Sequence, residues 1–73
     1  MSIVEIRRVH RARPFRPFWI CLADGREIRV AHPEFLMVVP DMRTLVVGVP
    51  RVGLEIIDAP LVTGISYRRQ KRA

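Results

Sequence analysis

From Phe18 to Tyr67 the chain is interrupted by turn-forming residues every eight to twelve positions, and no other feature constrains its fold as much. Asp24-Gly25, His32-Pro33, Pro40-Asp41, the stretch from Pro50 to Gly53, and Asp58-Ala59-Pro60 leave only short apolar runs between them. Runs of that length, rich in Val, Ile and Leu and bounded by such turns, read as strands. Five or six short strands at this spacing predict a small, strongly bent β-barrel or sandwich. Closing or facing the sheets removes edges that 73 residues could not otherwise cover.

The first strand pair is the most legible. Phe18, Ile20 and Leu22 alternate with Trp19, Cys21 and Ala23, and Asp24-Gly25 follows as a hairpin signal. A two-residue loop would place Leu22 against Glu27 and Ile20 against Arg29, mixing apolar and charged groups on one face. A bulge at Gly25 instead pairs Leu22 with Ile28 and Ile20 with Val30. Phe18, Ile20, Leu22, Ile28 and Val30 then share one apolar face. Because a one-residue slip moves every side chain to the other face, burial selects the bulged arrangement.

The remaining strands are predicted over Phe35 to Val39, Thr44 to Val49, Leu54 to Ile57 and Val62 to Tyr67. His32 is placed to cap a single helical turn that Pro33 begins. Ahead of the strands, Ser2-Ile3-Val4-Glu5 has capping-box form, with the serine accepting from the third helical amide and the glutamate reaching back. Ile3, Ile6 and Val9 recur at three-residue steps, which predicts a short amphipathic helix within residues 1–12. It stops before Pro14. Pro14-Phe15-Arg16-Pro17-Phe18 is an extended connector anchored by its phenylalanines. The reading is one mainly β domain over residues 1–67, with strands in 18–67, and a basic tail over 68–73.

The segment Ile20-Cys21-Leu22-Ala23-Asp24-Gly25-Arg26-Glu27-Ile28-Arg29-Val30 resembles the first hairpin of Sm-like proteins. The preceding helix, the bent strands after it and the closing Gly64-Ile65-Ser66-Tyr67 are similar to the bacterial Sm-like RNA chaperone in outline, and the hairpin to SH3-like barrels generally. The resemblance implies an SH3-like or Sm-like small barrel and RNA as a ligand. It does not extend to the chaperone's RNA pocket. That pocket uses a Tyr-Lys-His run before the last strand, whereas Ile57-Asp58-Ala59-Pro60 stands here. The chain is also similar to a group of short bacterial proteins carrying Pro-Phe-Arg-Pro-Phe and His-Pro-Glu, a likeness that implies no activity.

Charge then narrows the function classes. Thirteen basic residues face seven acidic ones, a net +6, unevenly spread. Residues 1–17 hold Arg7, Arg8, Arg11, Arg13 and Arg16 against Glu5, and residues 68–73 hold Arg68, Arg69, Lys71 and Arg72, each end carrying +4. The middle carries −2. A polyanion meets the two ends first, and phosphate contacts from such residues give salt-sensitive affinity without sequence preference. The same ends would also serve solubility alone. Trp19 and Tyr67 are the candidates for stacking on bases. Against that role, Trp19 is expected under the Ile3/Ile6/Val9 stripe of the helix.

Other chemistry has little to stand on. His10, Cys21 and His32 are not at zinc-like spacing and are read as a helix-surface histidine, a strand thiol and a turn cap. The four glycines are dispersed, so there is no phosphate loop. No nucleophile has a base and an orienting group in view, and the six central carboxylates fall at turns or outward positions. No cofactor is implied. One cysteine and the absence of a long apolar run point to the reducing cytoplasm and away from membranes. The sequence therefore reads as a non-enzymatic binding module for RNA or DNA. The other reading is a protein-interaction or self-assembling module that pairs through the uncharged strand 44–49 as an exposed edge.

Overall fold

The computed structural model describes residues 1–68. Helix α1 (Ile3–His10) is followed by β1 (Phe18–Leu22), β2 (Glu27–Val30), β3 (Leu36–Val38), β4 (Thr44–Val49), β5 (Gly53–Asp58) and β6 (Val62–Ser66). Short 3-10 turns at Pro33–Phe35 and Ala59–Leu61 precede β3 and β6. The expected mainly β domain of six short strands and one N-terminal helix is present. Its strands form two antiparallel three-stranded sheets, ordered β2-β1-β6 and β3-β4-β5, and no ladder joins the two sheets into a closed barrel.

Alternation along β1 and β2 determines what lies between the sheets. Phe18, Ile20, Leu22, Ile28 and Val30 are buried, as the bulged arrangement requires. The partners differ from those expected. Ile20 faces Ile28 and Phe18 faces Val30, two residues away from the Leu22–Ile28 and Ile20–Val30 pairs. The cause is a loop that begins one residue earlier, at Ala23. Gly25 N–H donates to the Leu22 carbonyl at 2.9 Å, and Leu22 N–H donates to the Arg26 carbonyl at 2.9 Å, so three residues close the turn. Gly25 lies at φ 94°, a conformation that L side chains avoid. A two-residue shift preserves which face each side chain occupies, and so burial is unchanged.

From the second sheet, Leu36, Leu45, Val47 and Ile57 meet this face, with Ala59 and Val62 filling the margin. Ile6 of α1 joins them with no exposed surface, and Ile3 and Val9 pack against the same cluster. This corrects one expectation. The helix stripe covers the inner cluster around Phe18 and Ile20, not Trp19, which lies on the opposite face of β1. The inner cluster is the wider apolar surface, so an amphipathic helix buries more by closing it.

The helix is held by polar contacts at both ends. The Ser2 hydroxyl accepts from Val4 N–H at 3.1 Å, one amide earlier than a capping box uses, and Glu5 turns to Arg8 at 3.5 Å. The Met1 ammonium donates to the Val62 carbonyl at 2.7 Å. His10 is not a surface histidine as expected. It is half-buried, and its Nε2 donates to the Pro33 carbonyl at 2.7 Å, tying the last turn of α1 to the turn before β3. His32 occupies the cap position of that turn without a side-chain cap bond, and its ring meets Phe35 edge-on at 5.2 Å.

A second correction concerns Thr44–Val49. This strand is not an edge. β3 pairs with one side of it and β5 with the other, so its backbone is fully used within the sheet. A segment with no charged residue fits best where both edges are covered, and the edges of the sheet fall to β3 and β5.

The turn between β3 and β4 is fastened to β5. Asp41 Oδ1 accepts from the Arg43 and Thr44 amides, each at 2.9 Å, and Oδ2 accepts from the Thr44 hydroxyl at 2.7 Å. Arg43 then grips Asp58 with two bonds of 2.8 and 3.1 Å. The Thr44 hydroxyl, followed by the Arg43 and Thr44 amides, holds the Asp41 carboxyl below the usual carboxylate range. The Arg43 guanidinium does the same for Asp58.

Two predictions follow from this packing. Ile6→Ala should cost about 2–5 kcal/mol in urea unfolding, a large part of the roughly 4–11 kcal/mol expected of a domain this size. The acid limb of stability carries the second. Asp41 and Asp58 have folded-state pKa values below their unfolded ones. Their contribution is therefore complete above the unfolded carboxylate value near ~4 and is lost as pH falls through the folded values. The thermal midpoint should drop on acidification below about pH 4. The double variant Asp41→Asn, Asp58→Asn should start lower at neutral pH and show a shallower acid decline.

Candidate nucleic-acid interface

Antiparallel pairing of β1 with β6 brings the connector ahead of β1 to the residues that follow β6. Trp19 lies opposite Ser66, Ile20 opposite Ile65 and Cys21 opposite Gly64. Continued toward the start of β1, that register carries the connector past the residues that follow β6. Arg16 and Tyr67 meet there, with the guanidinium carbon 4.0 Å from the ring centroid. Arg68 is next in sequence. The Ser66 hydroxyl donates to the Arg68 carbonyl, and Arg68 N–H donates back to that hydroxyl at 3.2 Å, so the chain turns immediately after the strand.

The outer face of this sheet carries a row of its own. Trp19, half-buried, is flanked by Arg29 on β2 and Ser66 on β6. Arg29 is exposed. The charge count along the sequence assigned Arg29 to the mildly acidic middle and overlooked it. Strand alternation, the signal available, puts Arg29 on the outer face with Trp19, but its place opposite Trp19 comes from the observed register, since the expected one set Cys21 there. Cys21 and Glu27 form the next pair on the same face.

The other candidate arginines lie along α1 and the connector. Arg8, Arg11, Arg13 and Arg16 are exposed, and Arg7 is half-buried. Arg8 and Arg11 are three residues apart, which puts them on one side of the helix. Glu5 lies beside Arg8 and offsets part of its charge. Arg13 Nη1 donates to the neighbouring Ala12 carbonyl at 3.0 Å, which leaves the rest of the fork outward. The Nε of Arg7 is buried with no partner, so that guanidinium offers its terminal nitrogens but not the full fork. Arg69, Lys71 and Arg72 lie outside the described residues.

Tyr67 is exposed at 45%, and one face of its ring is taken by Arg16. That face seats a guanidinium, an arrangement that a planar cation and an aromatic ring favour.

The central acids are largely committed elsewhere. Asp24 and Glu55 both hold Arg26, at 3.0 and 3.3 Å, and Asp41 and Asp58 hold the β3–β4 turn. The Arg26 amide keeps the Asp24 carboxyl below its ordinary value. The carboxylates displaced from their normal range are displaced downward, the opposite of what a general acid at neutral pH requires. Among the described residues no three His, Cys, Asp or Glu gather as metal ligands would. A groove of about 190 Å³ is lined by Leu22, Asp24, Arg26, Ile56, Asp58 and Leu61. It contains none of the candidate arginines.

No family model, curated protein or solved structure matches the chain.

Substituting Arg26 separates the acid network from the basic face. Arg26→Ala should release Asp24 and Glu55 and lower the thermal midpoint by a few degrees. It should leave oligonucleotide affinity within about twofold, because Arg26 lies on the groove and not beside Trp19 or Tyr67. Differential scanning fluorimetry and a binding titration on the same variant check both halves.

Proposed function

We propose that this protein is a non-enzymatic, cytoplasmic nucleic-acid-binding module. In this reading RNA or DNA lies along the outer face of the β2-β1-β6 sheet and the arginines of α1. The observation that carries it is the Arg16–Tyr67 stack, which joins the connector to the chain after β6 at the start of β1, the strand that also sets Trp19 opposite Arg29. Cations that follow a backbone beside an aromatic surface suit a single strand, since phosphates and base faces are both reachable. The Sm-like and SH3-like resemblance belongs to the same proposal. Its support is the N-terminal helix, the hairpin turning at Asp24-Gly25 and the two small antiparallel sheets.

The test is fluorescence anisotropy with a labelled mixed-sequence single-stranded RNA and a DNA duplex at two salt concentrations. Affinity should fall steeply with salt, with a slope near −0.7 per phosphate contact on the single strand. Arg16→Ala and Arg68→Ala should each weaken binding and reduce that slope by roughly one contact. Tyr67→Ala should weaken binding at least about fivefold while Tyr67→Phe retains it, because the ring face and not the hydroxyl seats Arg16. Failure of the wild-type chain to bind either oligonucleotide at low salt would reduce the basic ends to solubility features.

A further inference from the structure

The β3-β4-β5 sheet is apolar on both faces. Leu36, Leu45, Val47 and Ile57 point into the core. On the other side, register aligns Met37, Val46 and Ile56 in one row and sets Gly48 beside Leu54 in the next. Leu54 is 71% exposed, Ile56 72% and Met37 57%. Leu61 extends the patch, sharing the groove wall with Ile56. An antiparallel sheet at a domain surface ordinarily alternates apolar and polar. A contiguous apolar face marks a contact with a partner.

We infer that this outer face is a dimer interface, covered in solution by the same face of a second copy related by a two-fold axis.

Size supports a second copy. A specific interface takes about a tenth of a small protein's surface, and here the total is 5144 Å². That is about 500 Å² per copy and about 1,000 Å² in all, the lower limit for a specific contact. At roughly 60–120 Å² for each fully covered side chain, the five side chains Met37, Val46, Leu54, Ile56 and Leu61 come to about 300–600 Å². More than half of such an interface is thus apolar, as association requires.

Charge supports it as well. Arg7, Arg8, Arg11, Arg13 and Arg16 lie on α1 and the connector, and the apolar stripe of α1 packs on the inner cluster, not on this face. Charged residues stand at the two ends of the sheet. Arg51 occupies the β4–β5 turn, and Asp41 and Asp58 surround the single Arg43 at the opposite end. A two-fold axis perpendicular to the strands puts Arg51 of each copy over the acidic end of the other. Two antiparallel sheets stacked this way form an ordinary aligned sandwich.

Pairing through the β5 edge is less favoured. Glu55 points inward from that strand to Arg26 across the mouth of the core, and an inward charge on an edge strand discourages strand addition.

Sedimentation of the full chain from about 5 to about 500 μM tests the inference, since an interface of this size dissociates in that span. The expected result is a reversible monomer–dimer equilibrium. Leu54→Lys and Met37→Lys should each raise the dissociation constant at least tenfold. Val4→Lys, at an exposed apolar position on α1, should leave it unchanged. Circular dichroism melts keep the variants interpretable, because all three side chains are solvent-facing and their removal should not unfold the chain. A wild-type chain that stays monomeric throughout overturns the inference. So does a series of higher oligomers, which a closed two-fold contact forbids. Met37 lies on β3, remote from the β5 edge. Loss of dimer in Leu54→Lys with none in Met37→Lys would therefore assign the contact to that edge and overturn the face.

Discussion

The inner face of β1 is the constraint on which the rest of the molecule depends. Phe18 and Ile20 are fully buried and Leu22 nearly so, and their strand lies between β2 and β6, so three strands take their register from five residues. Phe15 reaches the same cluster from the connector, its ring 5.9 Å from that of Phe18. Once Phe18, Ile20 and Leu22 point inward, Trp19 and Cys21 must point out. Arg29 and Ser66 then flank Trp19 as a matter of pairing. The start of β1 is also where the connector and the chain after β6 converge, so the Arg16–Tyr67 stack is a consequence of packing several residues away. A basic face assembled in this way costs the core nothing, because strand alternation separates the two sides completely.

A core of twelve buried apolar residues is small, and the remaining order comes from polar fasteners at the rim. Each joins segments distant in sequence. The Met1 ammonium holds Val62, His10 holds Pro33, Arg26 bridges the first hairpin to β5, and Arg43 bridges the β3–β4 turn to Asp58. Exposed ion pairs contribute little individually. Here they act on turns whose backbone is already fixed by local bonds, so less side-chain freedom is lost in forming them. Four carboxylates of the mildly acidic middle, Asp24, Asp41, Glu55 and Asp58, are thereby accounted for: they organise turns.

The fold consequently has two dissimilar outer surfaces. The β2-β1-β6 sheet, with the connector and the end of β6, presents arginines beside aromatic rings. The β3-β4-β5 sheet presents Met37, Val46, Leu54 and Ile56 with charge only at its ends. A polyanion and a second copy would make unlike demands on a surface, and the two sheets meet them separately. Because the sheets back onto one core, contact on one face leaves the other accessible.

The sequence by itself determined the number and order of the elements. Period-two alternation in Phe18–Leu22, the Asp24-Gly25 turn, the proline-marked breaks and the Ile3/Ile6/Val9 spacing are local signals, and local signals depend on the backbone geometry of neighbouring residues alone. They identified which side chains of the first hairpin are buried, even though the pairing lay two residues away, because burial reads parity and not partner. What only the tertiary structure decided was adjacency across the fold. Nothing local indicates that Thr44–Val49 is central with β3 and β5 at the edges, that Ile6 closes the inner cluster instead of covering Trp19, that His10 reaches Pro33, or that Arg16 settles on Tyr67. Each depends on which surfaces meet when the whole chain minimises exposed apolar area. That quantity belongs to all the strands together and has no counterpart in any single stretch of sequence.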